Sequence, residues 1–381
     1  MELQEVNITP EHPLLNSKHT HFEDNVVECS YIQGGTTHKT KLNVTIQGDK
    51  TKNHAMVTFH DIGLNSVSNF GPLMNSESMG PVTQKYCIYH IDAPGQEENA
   101  AKLPNGFVYP SMENLSDMMP KIFSHFGLKN AICIGCGAGA NVFTRFALKN
   151  PGMVEGLILV NPTILPVGTV SWIGELITNF TTPISEQVLN YHLSKAEVDS
   201  VSQELVETHR KHFKQNMNEE NVQTFWKEYE RRREINLVRP IDPQMPDKTL
   251  QCQTMILVGD LSPFVDDAVE VNSRLNPTKT TFLKMADAGG MVLEEQIFKV
   301  AEAFTYFLQG LGHIPGVMMT RLARSRTISN SSTGSGDGDR KRVRTLSGGS
   351  AGSPHHHHAD EIIDVPAKHN DKAQLVSGAV C

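Results

Sequence analysis

The segment AICIGCGAGANVF, residues 131–143, constrains the fold of this chain more than any other. An apolar run ends at closely spaced glycines and is followed by helix-forming residues, a pattern that predicts a buried strand, a tight turn and a helix. Hydrolases built on a parallel sheet present their nucleophile at such a turn, in the pattern G-x-S-x-G. Here the turn reads Gly135-Cys136-Gly137-Ala138-Gly139, so the position of the nucleophile falls on Gly137, which has no side chain.

Short apolar runs alternate with amphipathic segments along most of the chain. Two β-branched runs, 25–34 and 41–49, are typical of a hairpin. Later apolar runs are typical of strands in a parallel sheet that helices cover on both faces. They lie near 54–63, 85–95, 130–135, 156–163, 253–260 and 279–290. Helical spacing predicts helices over 111–126 with Ser111 as N-cap, 138–149, 265–275 and 294–312.

Strand runs stop between about 165 and 240, where three amphipathic segments follow one another. Strands that alternate with helices, interrupted by a helical insertion, predict an α/β fold: a doubly wound, mostly parallel sheet with an inserted helical cap. We divide the chain into an irregular leader (1–24), an α/β domain (25–318) and a basic, Ser/Thr-rich tail (319–381). The tail has few large apolar residues and is predicted to be disordered.

Composition narrows the class of partners. The formal net charge of −8 argues against nucleic acid as a partner, since phosphate binding needs a basic face. The N-terminal residues lack the pattern of a signal peptide, and no run approaches the roughly 18 apolar residues of a membrane helix, so a cytoplasmic location is expected. The six cysteines are scattered and are expected to be reduced thiols.

A triad on this fold needs two more residues, an acid after a late strand and a histidine after the last strand. After the late strand the chain reads Gly259-Asp260-Leu261-Ser262-Pro263. This puts Ser262 at the acid position, two residues after Asp260. After the last strand it reads Asp287-Ala288-Gly289-Gly290, which puts Gly290 at the histidine position. With Gly137, Ser262 and Gly290 at these three positions, covalent ester hydrolysis is not expected.

The elbow residues also fit other patterns. Cys136 would be a displaced nucleophile, although the residues flanking it in that register are not glycines. Residues 135–140 also fit the dinucleotide pattern G-x-G-x-x-A, but no acid ends the next strand, so no cofactor is predicted. Cys133 and Cys136 form a C-x-x-C without a second pair, and no metal site is predicted from it.

Polar residues follow two earlier strands. His60-Asp61-Ile62-Gly63 stands where such hydrolases carry an oxyanion loop, and a turn that caps the sheet is the favoured interpretation. His90 and Asp92 end another strand. The candidate cleft residues are His60, Asp61, Cys136 and Asp260.

Several long segments resemble the N-myc downstream-regulated (NDRG) family. They are DIGLN (61–65), HIDAPGQEENA (90–100), residues 134–163, residues 258–290 and MTRLARSRT (319–327). The resemblance spans about residues 20–330 and implies an α/β-hydrolase-like fold with a helical cap and no catalytic triad. It also implies a cytoplasmic protein of signalling, stress response, differentiation and trafficking that acts through protein partners. The tail lacks the tandem decapeptide repeat of some members.

The tail carries kinase-type motifs. Ser329, Thr345 and Ser347 each fit R-x-R-x-x-[ST], and Thr327 fits more loosely; these four are the candidate phosphorylation sites of a basophilic Ser/Thr kinase. The same arginines are also suited to an anionic membrane surface. The run His355–His358 is not a preorganised metal site, and Cys381 is too close to the end for prenylation.

The resulting hypothesis is a phosphorylation-regulated adaptor without catalysis. One alternative is a hydrolase of altered chemistry using Cys136, Asp260 or His60. The other is a lipid- or small-molecule-binding module.

Overall fold

The computed structural model of the 381-residue chain describes residues 22–166, 183–193, 203–240 and 249–314, all of which belong to one compact unit. Most of the predicted leader and the whole predicted tail lie outside the described residues. The same holds for Thr327, Ser329, Thr345, Ser347, the run His355–His358 and Cys381.

Eight strands of the described residues form one sheet in the order β1-β2-β4-β3-β5-β6-β7-β8. Their bounds are β1 Phe22–Gln33, β2 Thr36–Gln47, β3 His54–Phe59, β4 Tyr86–Asp92, β5 Ala131–Cys136, β6 Val154–Val160, β7 Gln253–Gly259 and β8 Thr280–Met285. The pairs β1–β2 and β2–β4 are antiparallel, and every later pair is parallel. The predicted hairpin is confirmed: Gly34 and Gly35 join β1 to β2 with φ of 58° and 78°, as a two-residue turn of this type requires.

Helices cover both faces of the sheet. They are α1 Ser66–Met74, α2 Gly80–Thr83, α3 Met112–His125, α4 Ala138–Lys149, α5 Ile184–His192, α6 Gln203–Asn216, α7 Glu219–Glu230, α8 Val265–Ser273, α9 Val292–Glu295 and α10 Ile297–Gly310. Buried residues of α3, α4 and α8 share one apolar core with the cap helices α5–α7, and those of α1 and α10 share a second core. The sheet lies between the two cores, which confirms the predicted α/β class.

The predicted capping of α3 is also present. The Ser111 hydroxyl accepts a hydrogen bond from the Asn114 amide at 3.2 Å, which satisfies one of the free N–H groups of the first turn. Helix α4 has the predicted bounds. The insertion between β6 and β7 contains α5, α6 and α7 in the part of the chain that the structure describes, as the loss of strand patterning predicted.

Several predicted boundaries were wrong. Strand β2 begins at Thr36, five residues before the predicted start. Strand β1 begins at Phe22, three residues before the predicted start. Strand β6 ends at Val160 because Asn161 has φ of 48° and turns the chain out of the sheet. The single helix predicted over 294–312 is two helices, since Gln296 (φ −125°, ψ 43°) lies outside the helical region.

Candidate functional site

Three residues singled out from the sequence, Asp61, Cys136 and Gly290, lie together where β3, β5 and β8 end under the cap. A cavity of about 20 Å³ lies there, and its lining includes Asp61, Cys136, Asn161, His192 and Gly290. This volume accommodates about one water molecule. Pockets for drug-sized ligands measure roughly 300–1,000 Å³.

The glycine spacing of the elbow is required by packing. A Cβ on Gly139 would lie 2.0 Å from the Phe59 carbonyl oxygen, and a Cβ on Gly135 would lie 2.5 Å from the Gly139 backbone. Gly137 itself has φ of 46°, a conformation that side-chain-bearing residues rarely adopt. The elbow therefore keeps its hydrolase geometry, because α4 approaches β3 and β5 this closely.

The Asp61 carboxylate occupies the space that a nucleophile would need. A Cβ on Gly137 would lie 2.0 Å from Asp61 Oδ2. Asp61 Oδ1 accepts hydrogen bonds from the backbone N–H groups of Ile62 at 2.7 Å and Ala138 at 2.8 Å. In α/β-hydrolases the residue after the nucleophile and the loop after β3 supply the two N–H groups of the oxyanion hole, and these are the corresponding positions. The groups that would stabilise a developing oxyanion here bind a carboxylate of the chain itself.

Helix α5 of the cap closes over this carboxylate. The Tyr191 hydroxyl donates to Asp61 Oδ1 at 3.3 Å, and His192 Nδ1 lies 3.9 Å from Asp61 Oδ2. His192 Nε2–H donates to the Ile62 carbonyl at 2.8 Å. Burial lowers the pKa of His192, although the nearby Asp61 charge acts in the opposite direction.

The cap backbone covers Gly290, the predicted histidine position of a triad. A Cβ on Gly290 would lie 1.7 Å from the His192 carbonyl oxygen, so any side chain here would collide with the end of α5. The Gly290 carbonyl accepts a hydrogen bond from Asn161 Nδ2 at 2.7 Å.

Ser262, the predicted acid position, carries a buried hydroxyl. The Ser262 hydroxyl donates to Asn161 Oδ1 at 3.3 Å and accepts from the Phe264 amide at 3.2 Å. Asn161 therefore connects the loops that carry Ser262 and Gly290. Neither this hydroxyl nor a carboxamide supplies the charge that orients a catalytic histidine.

His60 is placed as a structural residue. Its Nε2 accepts from the Ala93 amide at 3.0 Å, and its Nδ1–H therefore donates to the Asp61 carbonyl at 2.7 Å. The ring is fully buried, and burial lowers the pKa of His60 to about 4. A neutral imidazole with both nitrogens engaged by the backbone has no capacity left to act as a base.

His90 and Asp92 do not belong to the cavity lining. His90 hydrogen-bonds Thr58 at 2.8 Å and Gln47 at 2.9 Å. Asp92 accepts from the amide and hydroxyl of Ser66 at the start of α1, and burial raises its pKa to about 7.

Cys136 lines the cavity but is only 3% exposed. Burial, and secondarily the Asp61 charge, raise the pKa of this thiol well above its usual range, which disfavours the reactive thiolate. Cys133 is likewise a buried free thiol. Asp260, the other candidate cleft residue, accepts from the Ala288 amide at 3.2 Å and lies outside the cavity lining.

Three residues of this site were missed in the sequence. Tyr191 and His192 belong to the insertion, whose amphipathic pattern carries no marker for contact with the elbow. Asn161 follows a strand that was predicted to continue to residue 163, and the Asn-Pro pair at 161–162 was the available signal for a turn.

None of the helices within the described ranges is both long and apolar enough to cross a membrane.

Residues 33–315 match the model of the Ndr family.

Three NDRG proteins are similar in sequence to this chain over most of their length. The NDRG2 protein of Danio rerio is 41% identical over 358 residues, which cover 92% of this chain and 95% of that protein. The NDRG1 protein of Xenopus tropicalis is 46% identical over 297 residues, which cover 78% of this chain and 75% of that protein. The NDRG3 protein of Xenopus laevis is 40% identical over 370 residues, covering 96% and 98%.

Solved structures that superimpose on this chain include hydrolases of low sequence identity. A thermophilic esterase from Thermogutta terrifontis superimposes with a TM-score of 0.56 at 17% identity, covering 75% of this chain and 99% of the esterase. The enol-lactonase from Burkholderia xenovorans LB400 gives a TM-score of 0.55 at 13% identity, covering 71% and 97%. At such identities the likeness concerns the fold alone. The family match, the relatives and the fold together confirm the resemblance read from the sequence: the chain belongs to the Ndr family and has the α/β-hydrolase fold.

Proposed function

We propose that this chain is a non-catalytic α/β-hydrolase-fold protein that acts through protein partners. The observation that carries the proposal is the Asp61 carboxylate, which is bound to the N–H groups of Ile62 and Ala138 beside Gly137. A substrate carbonyl would have to displace this carboxylate before it reached those donors, and it would then find no nucleophile. Removal of the nucleophile and base removes most of the rate enhancement of covalent hydrolysis.

Two alternatives lack support from the site. A hydrolase that uses Cys136 would need an accessible thiolate, whereas this thiol is buried with a raised pKa. A lipid- or small-molecule-binding module would need a pocket much larger than the cavity of about 20 Å³ beside the elbow.

The catalytic part of the proposal is tested by hydrolysis of short- and long-chain acyl esters. The full chain and its Cys136→Ala variant are assayed side by side, and no turnover above buffer is expected from either. Turnover that is lost in Cys136→Ala would identify a displaced nucleophile. Turnover that persists in the variant would identify another catalytic group, and either outcome would overturn the proposal.

The regulatory part concerns the tail, residues 319–381. We propose that a basophilic Ser/Thr kinase phosphorylates Ser329, Thr345 and Ser347, with Thr327 as a looser match, in a cytoplasmic protein of stress response, differentiation or trafficking. Each phosphate adds about −1.5 to −2 charges to a locally basic segment, which is enough to change its preference for protein or anionic membrane surfaces. Membership of the Ndr family supports this proposal without specifying the kinase or the partners.

Aspartate substitutions at Ser329, Thr345 and Ser347 mimic part of that charge, and alanine substitutions at the same positions are the control. Affinity capture is expected to recover different partner sets with the two variants. Flotation with anionic vesicles is expected to recover less of the aspartate variant. Identical partners and identical vesicle binding would exclude the tail as a switch.

A further inference from the structure

The Asp61 carboxylate is held from the core and from the cap at the same time. Its core contacts are the backbone N–H groups of Ile62 and Ala138, at 2.7 and 2.8 Å. Its cap contact is the hydrogen bond from the Tyr191 hydroxyl at 3.3 Å; His192 Nδ1 lies 3.9 Å from Oδ2, beyond hydrogen-bond distance. Three donors converge on Oδ1, and an ionised carboxylate oxygen accepts such bonds more strongly than a neutral oxygen.

Helix α5 meets the core at three further places around this carboxylate, and one of them is the hydrogen bond that His192 Nε2–H donates to the Ile62 carbonyl at 2.8 Å. A Cβ on Gly63 would lie 2.4 Å from Val188 Cγ1, so the loop after β3 lies directly against the helix. The His192 carbonyl similarly lies against Gly290. The contacts at Gly63 and Gly290 depend on shape, and the His192–Ile62 bond joins an imidazole to a backbone carbonyl. Only the contact through Asp61 depends on the charge of a carboxylate.

The aromatic face of α5 is covered by this arrangement. The Tyr191 ring lies 5.2 Å from the Trp226 ring, 6.4 Å from Tyr229 and 5.0 Å from Phe264, measured between centroids. Movement of α5 away from the elbow would uncover this cluster, which joins the cap to the loop before α8.

We infer that the Asp61 carboxylate is a latch that holds α5 closed on the elbow. The N–H groups of a former oxyanion hole fix the carboxylate, and the carboxylate in turn binds the cap. Loss of its charge, or its replacement by a side chain without oxygen, releases α5 while the sheet stays folded. This inference rests on the proposed function in one respect: it takes the backbone N–H groups of Ile62 and Ala138 to bind the Asp61 carboxylate and not a substrate.

The test is hydrogen–deuterium exchange of the full chain, read by mass spectrometry over residues 184–192. The reference segments are β5, residues 131–136, and α10, residues 297–310. The exchange measurement contains no ester, so its result does not depend on whether the chain hydrolyses esters. In the same way, the ester assay does not depend on whether Asp61 holds α5 in place.

Asp61→Asn keeps the shape of the side chain and removes its charge, and Asp61→Ala removes the group. Both are expected to raise exchange over 184–192 at least tenfold without a change in the reference segments. Tyr191→Phe is also expected to raise it, because the substitution removes the hydrogen bond that the cap donates to Asp61. Asp260→Asn is the matched control, since that carboxylate bonds a core amide, and it is expected to leave 184–192 unchanged.

Formate supplies a free carboxylate of the size removed in Asp61→Ala. Sodium formate is expected to restore slow exchange over 184–192 in that variant, and sodium chloride at equal ionic strength is not. If Asp61→Ala does not fold, Asp61→Asn and Tyr191→Phe decide the outcome. Unchanged exchange in α5, an equal rise in α10, or a rise in Asp61→Ala that formate leaves in place would overturn the latch.

Discussion

Restoring the missing serine at the elbow tests the geometry of the site most directly. In Gly137→Ser the new Cβ would lie 2.0 Å from Asp61 Oδ2, and the residue would have φ near 46°. The serine and the carboxylate cannot occupy the same space, so Asp61 must leave its two backbone donors. We therefore expect the substitution to destabilise the fold instead of creating a hydrolase.

The magnitude follows from two contributions. A residue with a side chain in the left-handed region costs about 1–2 kcal/mol. Each hydrogen bond to a charged group contributes about 1.5–3 kcal/mol, and Asp61 would lose those to Ile62 and Ala138. Gly137→Ser is therefore expected to lower the free energy of unfolding by about 4 kcal/mol or more. In an Asp61→Gly background only the backbone cost of about 1–2 kcal/mol remains, so the two substitutions should be coupled by about 3 kcal/mol or more, the contribution of the two hydrogen bonds.

The assay is urea unfolding of the wild type, both single variants and the double variant, with the midpoint and slope fitted for each. Gly34→Ser is the control, because Gly34 also has positive φ (58°) and a Cβ there would meet nothing within 4 Å. Additivity of the two substitutions within about 0.5 kcal/mol would refute the argument that Asp61 fills the nucleophile position. A cost of Gly137→Ser no larger than that of Gly34→Ser would refute it as well.

Three further predictions concern the same region and the core. Gly290→Ala is expected to destabilise the protein by more than about 2 kcal/mol in thermal unfolding, because the Cβ would collide with the His192 carbonyl, whereas Gly152→Ala meets nothing within 4 Å and should be nearly neutral. The Cys136 thiol is expected to react with a disulfide reagent only after denaturant is added to a Cys381→Ser background; rapid reaction in buffer would contradict its burial. Burial lowers the pKa of His90 to about 4, so its contribution to stability is present above pH 6.5 and is lost as the pH falls towards 4. The wild type should lose at most about 3 kcal/mol more than His90→Gln over this interval, and parallel pH profiles would contradict it.

Much of the fold was predictable because the relevant signals are local. Period-two and fully apolar runs marked the strands, and helical spacing with Ser111 as N-cap marked α3. The elbow was recognisable because Gly135, Gly137 and Gly139 fall within five consecutive residues, so the pattern itself is local. The contact that requires Gly139 is with Phe59 of β3. The boundaries at residues 161 and 296 were missed, because a single backbone dihedral ends those elements and no change of periodicity accompanies it.

The sequence by itself predicted that Gly137, Ser262 and Gly290 stand where a hydrolase of this fold would carry its triad, because strand, turn and helix signals set the frame. The tertiary structure alone decided what occupies the space around them. Asp61 lies 77 residues before Ala138, Tyr191 lies 130 residues after Asp61, and Asn161 bonds Gly290 across 129 residues. Sequence spacing carries no record of contacts at such separations. They form only when β3, β5, β6 and the loop after β8 are brought to one edge of the sheet and the cap is packed over it.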